Sequence, residues 1–166
     1  MKEYKVKSTD IKHFSLTINE KEIGKLTYEK WFSFNAEMIL DGDSTYQIEP
    51  KGFWGTTIEL KQNDQVLMNF KMSWNGNIII HSNFDGMERD FVLKHKGILK
   101  ESYVLLNKEE EDLLVVKPDF KWNKFNYDYQ ITTTDRFDNY NFNTILLLTT
   151  IHCVNYYMTM LSTGTF

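Results

Sequence analysis

Four histidines, one cysteine and a few short acidic runs are the side chains from which this chain would have to build chemistry. His13, His81, His95 and His152 fall at no spacing that sets two imidazoles on one strand face or one helical turn, as a metal site requires. His152 and Cys153 are adjacent, and neighbours on a helix diverge by about 100°, so they do not make a nucleophile–base pair. The expectation is a buried histidine hydrogen-bonded to a carbonyl, beside a buried thiol. "DGDS" (Asp41 to Ser44) begins like a calcium loop but runs into "TYQIEP" without the later oxygen ligands or the closing glutamate, so it reads as a hairpin turn. "EEED" (Glu109 to Asp112) places four negative charges together, which only solvent relieves. With no glycine-rich phosphate loop, G-x-S-x-G elbow or strand-borne carboxylate pair, the chain reads as non-catalytic, with no cofactor-binding or metal-ligating residue to name.

What remains is lysine interleaved with aromatics. In "KPDFKWNKF", Lys117, Lys121, Trp122 and Lys124 with Phe125, joined by Lys61, Lys71 and Trp74, have the composition of a surface that meets anionic lipid, rings entering the interface while ammonium groups meet head groups. The competing reading is an edge strand whose lysines discourage aggregation and whose aromatics pack inward.

Composition narrows the classes. At 166 residues the chain is one domain, 1–166, long enough to bury a core without metals or disulfides. Its 42% hydrophobic and 15% aromatic content, against 25% charged, is that of an ordered globular protein. A net charge of -4 disfavours nucleic acid as a partner. Arg89 and Arg136 are the only arginines, so forked recognition of phosphates is not widespread. Cys153 has no partner for an intramolecular disulfide, and the start "MKEYKVKSTDIKHF" lacks the apolar run of a secretory signal. The expected location is cytoplasmic, peripheral to a membrane if lipid is the partner.

These residues sit in a chain that alternates. From about Lys12 to Thr134 apolar residues recur at period two in short bursts, the pattern of half-buried antiparallel strands. Strands are predicted near 12–18, 23–29, 34–40, 45–49, 56–61, 65–73, 77–82, 89–95, 101–106, 113–117, 121–125 and 127–133. Polar turns separate them: "NEKE", "DGDS", "QND", "FDG" and "NKEEED". Asn75-Gly76 is expected to supply the positive φ angles of a tight hairpin. "TTIELKQNDQVLMNFKMSW" faintly echoes "SYVLLNKEEEDLLVVKPDFKW", each a strand, a polar turn, a strand, then lysine and tryptophan. About a dozen strands with no helix among them imply a closed antiparallel barrel or a sandwich.

The alternation stops at "DRFDNYNF", where Asp135, Asp138, Asn139 and Asn141 are candidate N-caps for a helix over about 139–162. "NTILLLTTIHCVNYYMTMLS" carries no charge and is long enough to span a bilayer. Threonines, His152 and Asn155 interrupt it, however, and no Lys or Arg flanks it. A helix apolar on all sides also suits the centre of a wide barrel, whose interior its own strand side chains do not fill.

A barrel of about twelve strands followed by a hydrophobic helix through its centre resembles the superfamily of the tubby C-terminal domain, the plant LURP-one-related proteins and the phospholipid scramblases. The ending "YDYQITTTDRFDNYNFNTILLLTTIHCVNYY" is similar to that family's last strand, polar turn and apolar helix. The lysine and arginine set with which tubby-type domains hold a phosphoinositide has no counterpart that can be placed here, and the scramblases' cysteine-rich, calcium-binding and proline-rich segments are missing. The resemblance is closest to the compact LURP-one-related type. It implies a non-catalytic binding or scaffold protein that contacts anionic membrane lipid or a protein. The alternatives are a tail-anchored or scramblase-like membrane protein using the helix in lipid, and a carrier of a small apolar ligand.

Overall fold

The computed structural model describes residues 1–30, 34–51, 57–97, 101–123 and 125–163. Among them are twelve strands: β1 (Lys2–Ser8), β2 (His13–Ile18), β3 (Lys21–Tyr28), β4 (Ala36–Leu40), β5 (Thr45–Lys51), β6 (Thr57–Gln62), β7 (Gln65–Met72), β8 (Ile78–Ser82), β9 (Arg89–Lys96), β10 (Ser102–Leu106), β11 (Asp112–Lys121) and β12 (Asn126–Thr133). Each pairs antiparallel with its neighbours in sequence, and β1 pairs with β12 (Lys2 opposite Thr133, Val6 opposite Tyr129), closing a barrel. Every described strand pairs on both sides, but β11 beyond Val116 pairs only with β12, so Lys117 and Lys121 stand on a stretch unpaired on its β10 side, where the edge-strand reading of the lysines still applies.

The expected count of twelve is met by different strands. β1, absent from the sequence-based set, is the strand that closes the barrel, and 113–117 and 121–125 are not two strands. β11 runs unbroken through Pro118 to Lys121, because its ladder with β10 begins at Val116 and the residues beyond pair only with β12. A proline there removes no bond from the β10 side. At the Asn75-Gly76 turn only Gly76 takes a positive φ (78°), while Asn75 acts through its side chain, whose Oδ1 accepts the Asn77 amide at 3.2 Å.

The helix begins later than expected. Thr134 caps a single turn, α1 (Asp135–Asp138), by accepting the Phe137 amide, so Asp135 and Asp138 lie inside that turn rather than capping a long helix. The chain then bends, and Phe142 packs on Phe84 (5.1 Å between ring centres) before α2 (Asn143–Thr163) starts. Tyr140 and Phe142 lie under the Arg89 guanidinium, which is held by Asp85 at 2.9 Å. These rings stopper the end at which the helix enters.

α2 runs down the lumen. Burial is unbroken from residue 145 to 155, which at about 1.5 Å per residue spans about 16 Å. Strands of about seven residues, tilted by about 40°, make a wall of about 18 Å, so the match is what a helix threaded through the barrel requires. Leu146, Leu148, Ile151 and Val154 meet the inward residues of the wall, among them Val6, Leu16, Leu26, Met38, Ile48 and Leu60, all at or near zero exposure. Each such side chain contributes about 1.5–3 kcal/mol by leaving water. Gly24 makes room for the helix: a Cβ there would lie 2.9 Å from Leu148 Cδ1. Residues 156–160 are half-buried, where the helix outruns the wall at the exit end.

Candidate functional site

The two ends of the barrel differ in chemistry. The hairpin connections at the entry end carry Glu20, Asp41, Asp43, Asp64 and Asp85 and the Glu109–Glu111 run, with Lys108 as their one cation. Both arginines are also engaged there, Arg89 by Asp85 and Arg136 by Glu111. The "EEED" cluster is exposed apart from its half-buried Glu111, as its charge density demands.

The exit end is aromatic. Trp74, in the β7–β8 turn, is 108% exposed; Trp122 and Phe125, in the β11–β12 turn, are 76% and 74% exposed; Ile11, in the β1–β2 connection, is 39% exposed. Phe120 supports Trp122 edge-on at 4.9 Å and is itself braced by Tyr127 at 5.0 Å. Phe125 takes a positive φ of 50°, which turns its ring outward from the end of the hairpin. Lys124, also of the sequence-based set, lies outside the described residues.

The lysines expected to accompany these rings are dispersed. Lys117 is exposed on the outer wall of β11, opposite Gln130, about 13 Å along the strand from Lys121 at about 3.3 Å per residue. Lys121 is bound to Asp119, whose carboxylate raises its pKa. Lys61 is held by Glu49 (3.2 Å) and Glu59 (3.4 Å). Trp122 and Trp74 therefore share a surface, whereas Lys117 and Lys61 lie on the wall away from it. Sequence reasoning grouped the two tryptophans but read Trp122 as part of a strand over 121–125, whereas β11 ends at Lys121 and Trp122 stands in the turn. The signal was present in the repeated lysine and tryptophan after each half of the internal echo. The echo corresponds to the hairpins β6–β7 and β10–β11, both of which return to the exit end.

Inside this rim lies a buried polar cluster on α2. The Asn155 amide donates to the Tyr28 hydroxyl at 2.9 Å, and the Tyr129 hydroxyl donates to Asn155 Oδ1. Tyr28 in turn reaches His152 Nδ1 at 3.0 Å and stacks on the imidazole (5.4 Å, 15°). Nδ1 is the one acceptor shown for the Tyr28 proton, so Tyr28 is assigned as the donor, which puts the imidazole proton on Nε2, a buried atom with no hydrogen-bond partner among the described residues. His152 thus bonds a phenol rather than the expected carbonyl. Burial lowers its pKa to about 3 and pushes the Tyr28, Tyr129 and Cys153 pKa values up, so all four are uncharged at neutral pH. A thiol held protonated inside the lumen is no nucleophile. Between this cluster and the rim is a cleft of about 110 Å³ lined by Phe125, Asn126, Tyr127, Tyr129, Asn155 and Met158.

A larger cleft of about 410 Å³ on the outer wall holds the His81–Asp90 pair (2.6 Å). Ser82 beside it is buried and accepts the Phe84 amide at 3.3 Å. Alternation turns Ser82 away from His81, so the two do not form a nucleophile–base pair.

Compared with protein-family models, with curated proteins and with solved structures, the chain matches none. Among the described residues no helix is long and apolar enough to cross a membrane, and no group of His, Cys, Asp or Glu is placed to hold a metal ion.

Proposed function

We propose that this chain is a non-catalytic binding or scaffold protein of the tubby and LURP-one-related type, working through its exit rim on membrane lipid or a protein partner. The observation that carries this reading is the occupied lumen. A carrier needs an interior to fill, and here α2 supplies the ligand's place with its own Leu146, Leu148, Ile151 and Val154. Recognition then belongs to the outside, where the exposed aromatics gather at one end. A tail-anchored or scramblase-like use of the helix would withdraw these side chains from the wall and leave a hollow sheet, at about 2–5 kcal/mol for each large residue removed. A cytoplasmic location, peripheral to a membrane where lipid is the target, goes with this reading.

Native mass spectrometry of the purified full chain tests it against the carrier. The expected mass is that of the 19.8 kDa chain alone. A stoichiometric apolar adduct, lost only on unfolding, would place the ligand in the lumen and overturn the rim reading.

A further inference from the structure

We infer that the partner of the exit rim is a lipid bilayer surface, met end-on and held by aromatic insertion rather than by head-group charge. The inference rests on the rim reading above and goes further by naming what the rim touches and what force holds it there.

The first argument is the spacing of the anchors. Around the closed sheet the β7–β8 turn with Trp74 lies six strands from the β1–β2 connection with Ile11 and four from the β11–β12 turn with Trp122 and Phe125. At about 4.8 Å between tilted strands, Trp74 is roughly 20 Å from the Trp122 turn. Among the described residues these anchors stand at three well-separated points of one end rather than in a single pocket. They make a tripod, and a tripod fits a flat, deformable surface. Tryptophan is the side chain suited to that depth, since its ring is apolar and its N–H still meets water or head groups.

The second argument is charge. The described connections at the exit end set Asp10 beside Lys12 and Glu29 beside Lys30, with Glu101 as one further anion, and Lys121 on the adjoining strand is neutralised by Asp119. The described part of the rim is near balance, while the acidic entry end stands about 18 Å away, about two Debye lengths at physiological salt. A surface that approaches the exit end meets apolar rings without a strong field of either sign. An anionic surface that approaches the entry end is repelled. Binding is therefore oriented by the acidic pole and driven by the rings, and zwitterionic lipid is sufficient.

The test is flotation of the full-length protein with vesicles of phosphatidylcholine alone and of phosphatidylcholine with phosphatidylserine, at low and high salt. It is repeated with Trp74→Ala and Trp122→Ala, whose exposed positions leave the fold intact, as thermal melting would verify. Expected is flotation with both compositions within about threefold, little change with salt, and a loss of about tenfold or more in partitioning for each variant. Quenching of tryptophan emission by lipids brominated on the acyl chain gives a second reading on the unaltered chain and is expected to be strong.

Flotation only with phosphatidylserine and only at low salt would overturn the inference in favour of lysine-led binding. Absence of flotation with either composition would also overturn it. So would concentration-dependent dimerisation without vesicles that Trp122→Ala abolishes, which would make a second copy the occupant. The rim reading has its own test in the native mass, so the two can fail separately.

Discussion

Lowering the pH from 7 to 5 should destabilise this protein through His152. The imidazole lies in the lumen, accepts the Tyr28 hydroxyl through Nδ1 and has no charged partner among the described residues. Burial holds its folded-state pKa at about 3, below the ordinary value of 6.5. Between these values the unfolded chain binds a proton that the folded chain refuses, so stability rises with pH across this window. The contribution is fully present above the unfolded pKa and is lost as the pH falls towards 3. Integrated, the loss is about 2 kcal/mol at pH 5 and about 5 kcal/mol at its limit. The window from 7 to 5 suits the measurement because the carboxylates with depressed pKa values, Asp10, Glu22, Asp41, Glu59, Asp85 and Asp135, start to lose their contributions only nearer pH 4.

The assay is urea denaturation followed by circular dichroism at the two pH values, on the native chain and on His152→Gln. Glutamine cannot titrate here, and its Oε1 can still take the Tyr28 hydroxyl proton. The variant is expected to start less stable by about 1–3 kcal/mol, from imperfect packing. Between pH 7 and 5 it should lose about 2 kcal/mol less than the native chain. Equal losses in both would show that His152 is reached by water or by a counter-charge in the folded protein, and would refute the reasoning.

Other substitutions test the packing of the helix. Gly24→Val should cost about 1–3 kcal/mol by driving side-chain atoms into Leu148 and Leu40, and Leu148→Ala about 2–5 kcal/mol by leaving a void. Made together they should cost clearly less than the sum in a denaturant double-mutant cycle; simple additivity would mean that the two residues do not meet. Asn155→Ala should cost about 1–3 kcal/mol because it strands the buried Tyr129 hydroxyl, and adding Tyr129→Phe should recover part of that loss in thermal melting.

The barrel was legible because its strands are short, half-buried and punctuated by residues that tolerate positive φ, such as Asn19 and Glu20, Asn63 and Asp64, and Asp85. β1 was not, since "KEYKVKS" has only Tyr4 and Val6 as large apolar residues and its lysines read as a solvated start, yet those two complete the ring beside β12. Pro118 hid the continuity of β11, because a proline excludes a central strand only where both sides are paired. The helix could be placed in the lumen from its lack of a polar face, but its start could not. The bend that inserts Tyr140 and Phe142 between α1 and α2 depends on Phe84 and Phe91, more than 45 residues away in sequence. The aromatic character of the candidate site was visible in the sequence, whereas the pairing of Lys61 with Glu49 across the sheet was not, because only the register brings those strands together.

Everything proposed here depends on α2 lying inside the barrel, and the chain carries its own reporter of that in Cys153, its only cysteine, buried midway along the helix. The most direct measurement is the rate at which an aromatic disulfide reagent labels Cys153 in detergent-free buffer, with and without denaturant. If the helix fills the lumen, the thiol should react no faster than the protein unfolds and should become fully reactive in denaturant. Labelling of the native protein at the rate of a free thiol would put the helix outside the barrel and contradict both the fold's central feature and the rim that follows from it.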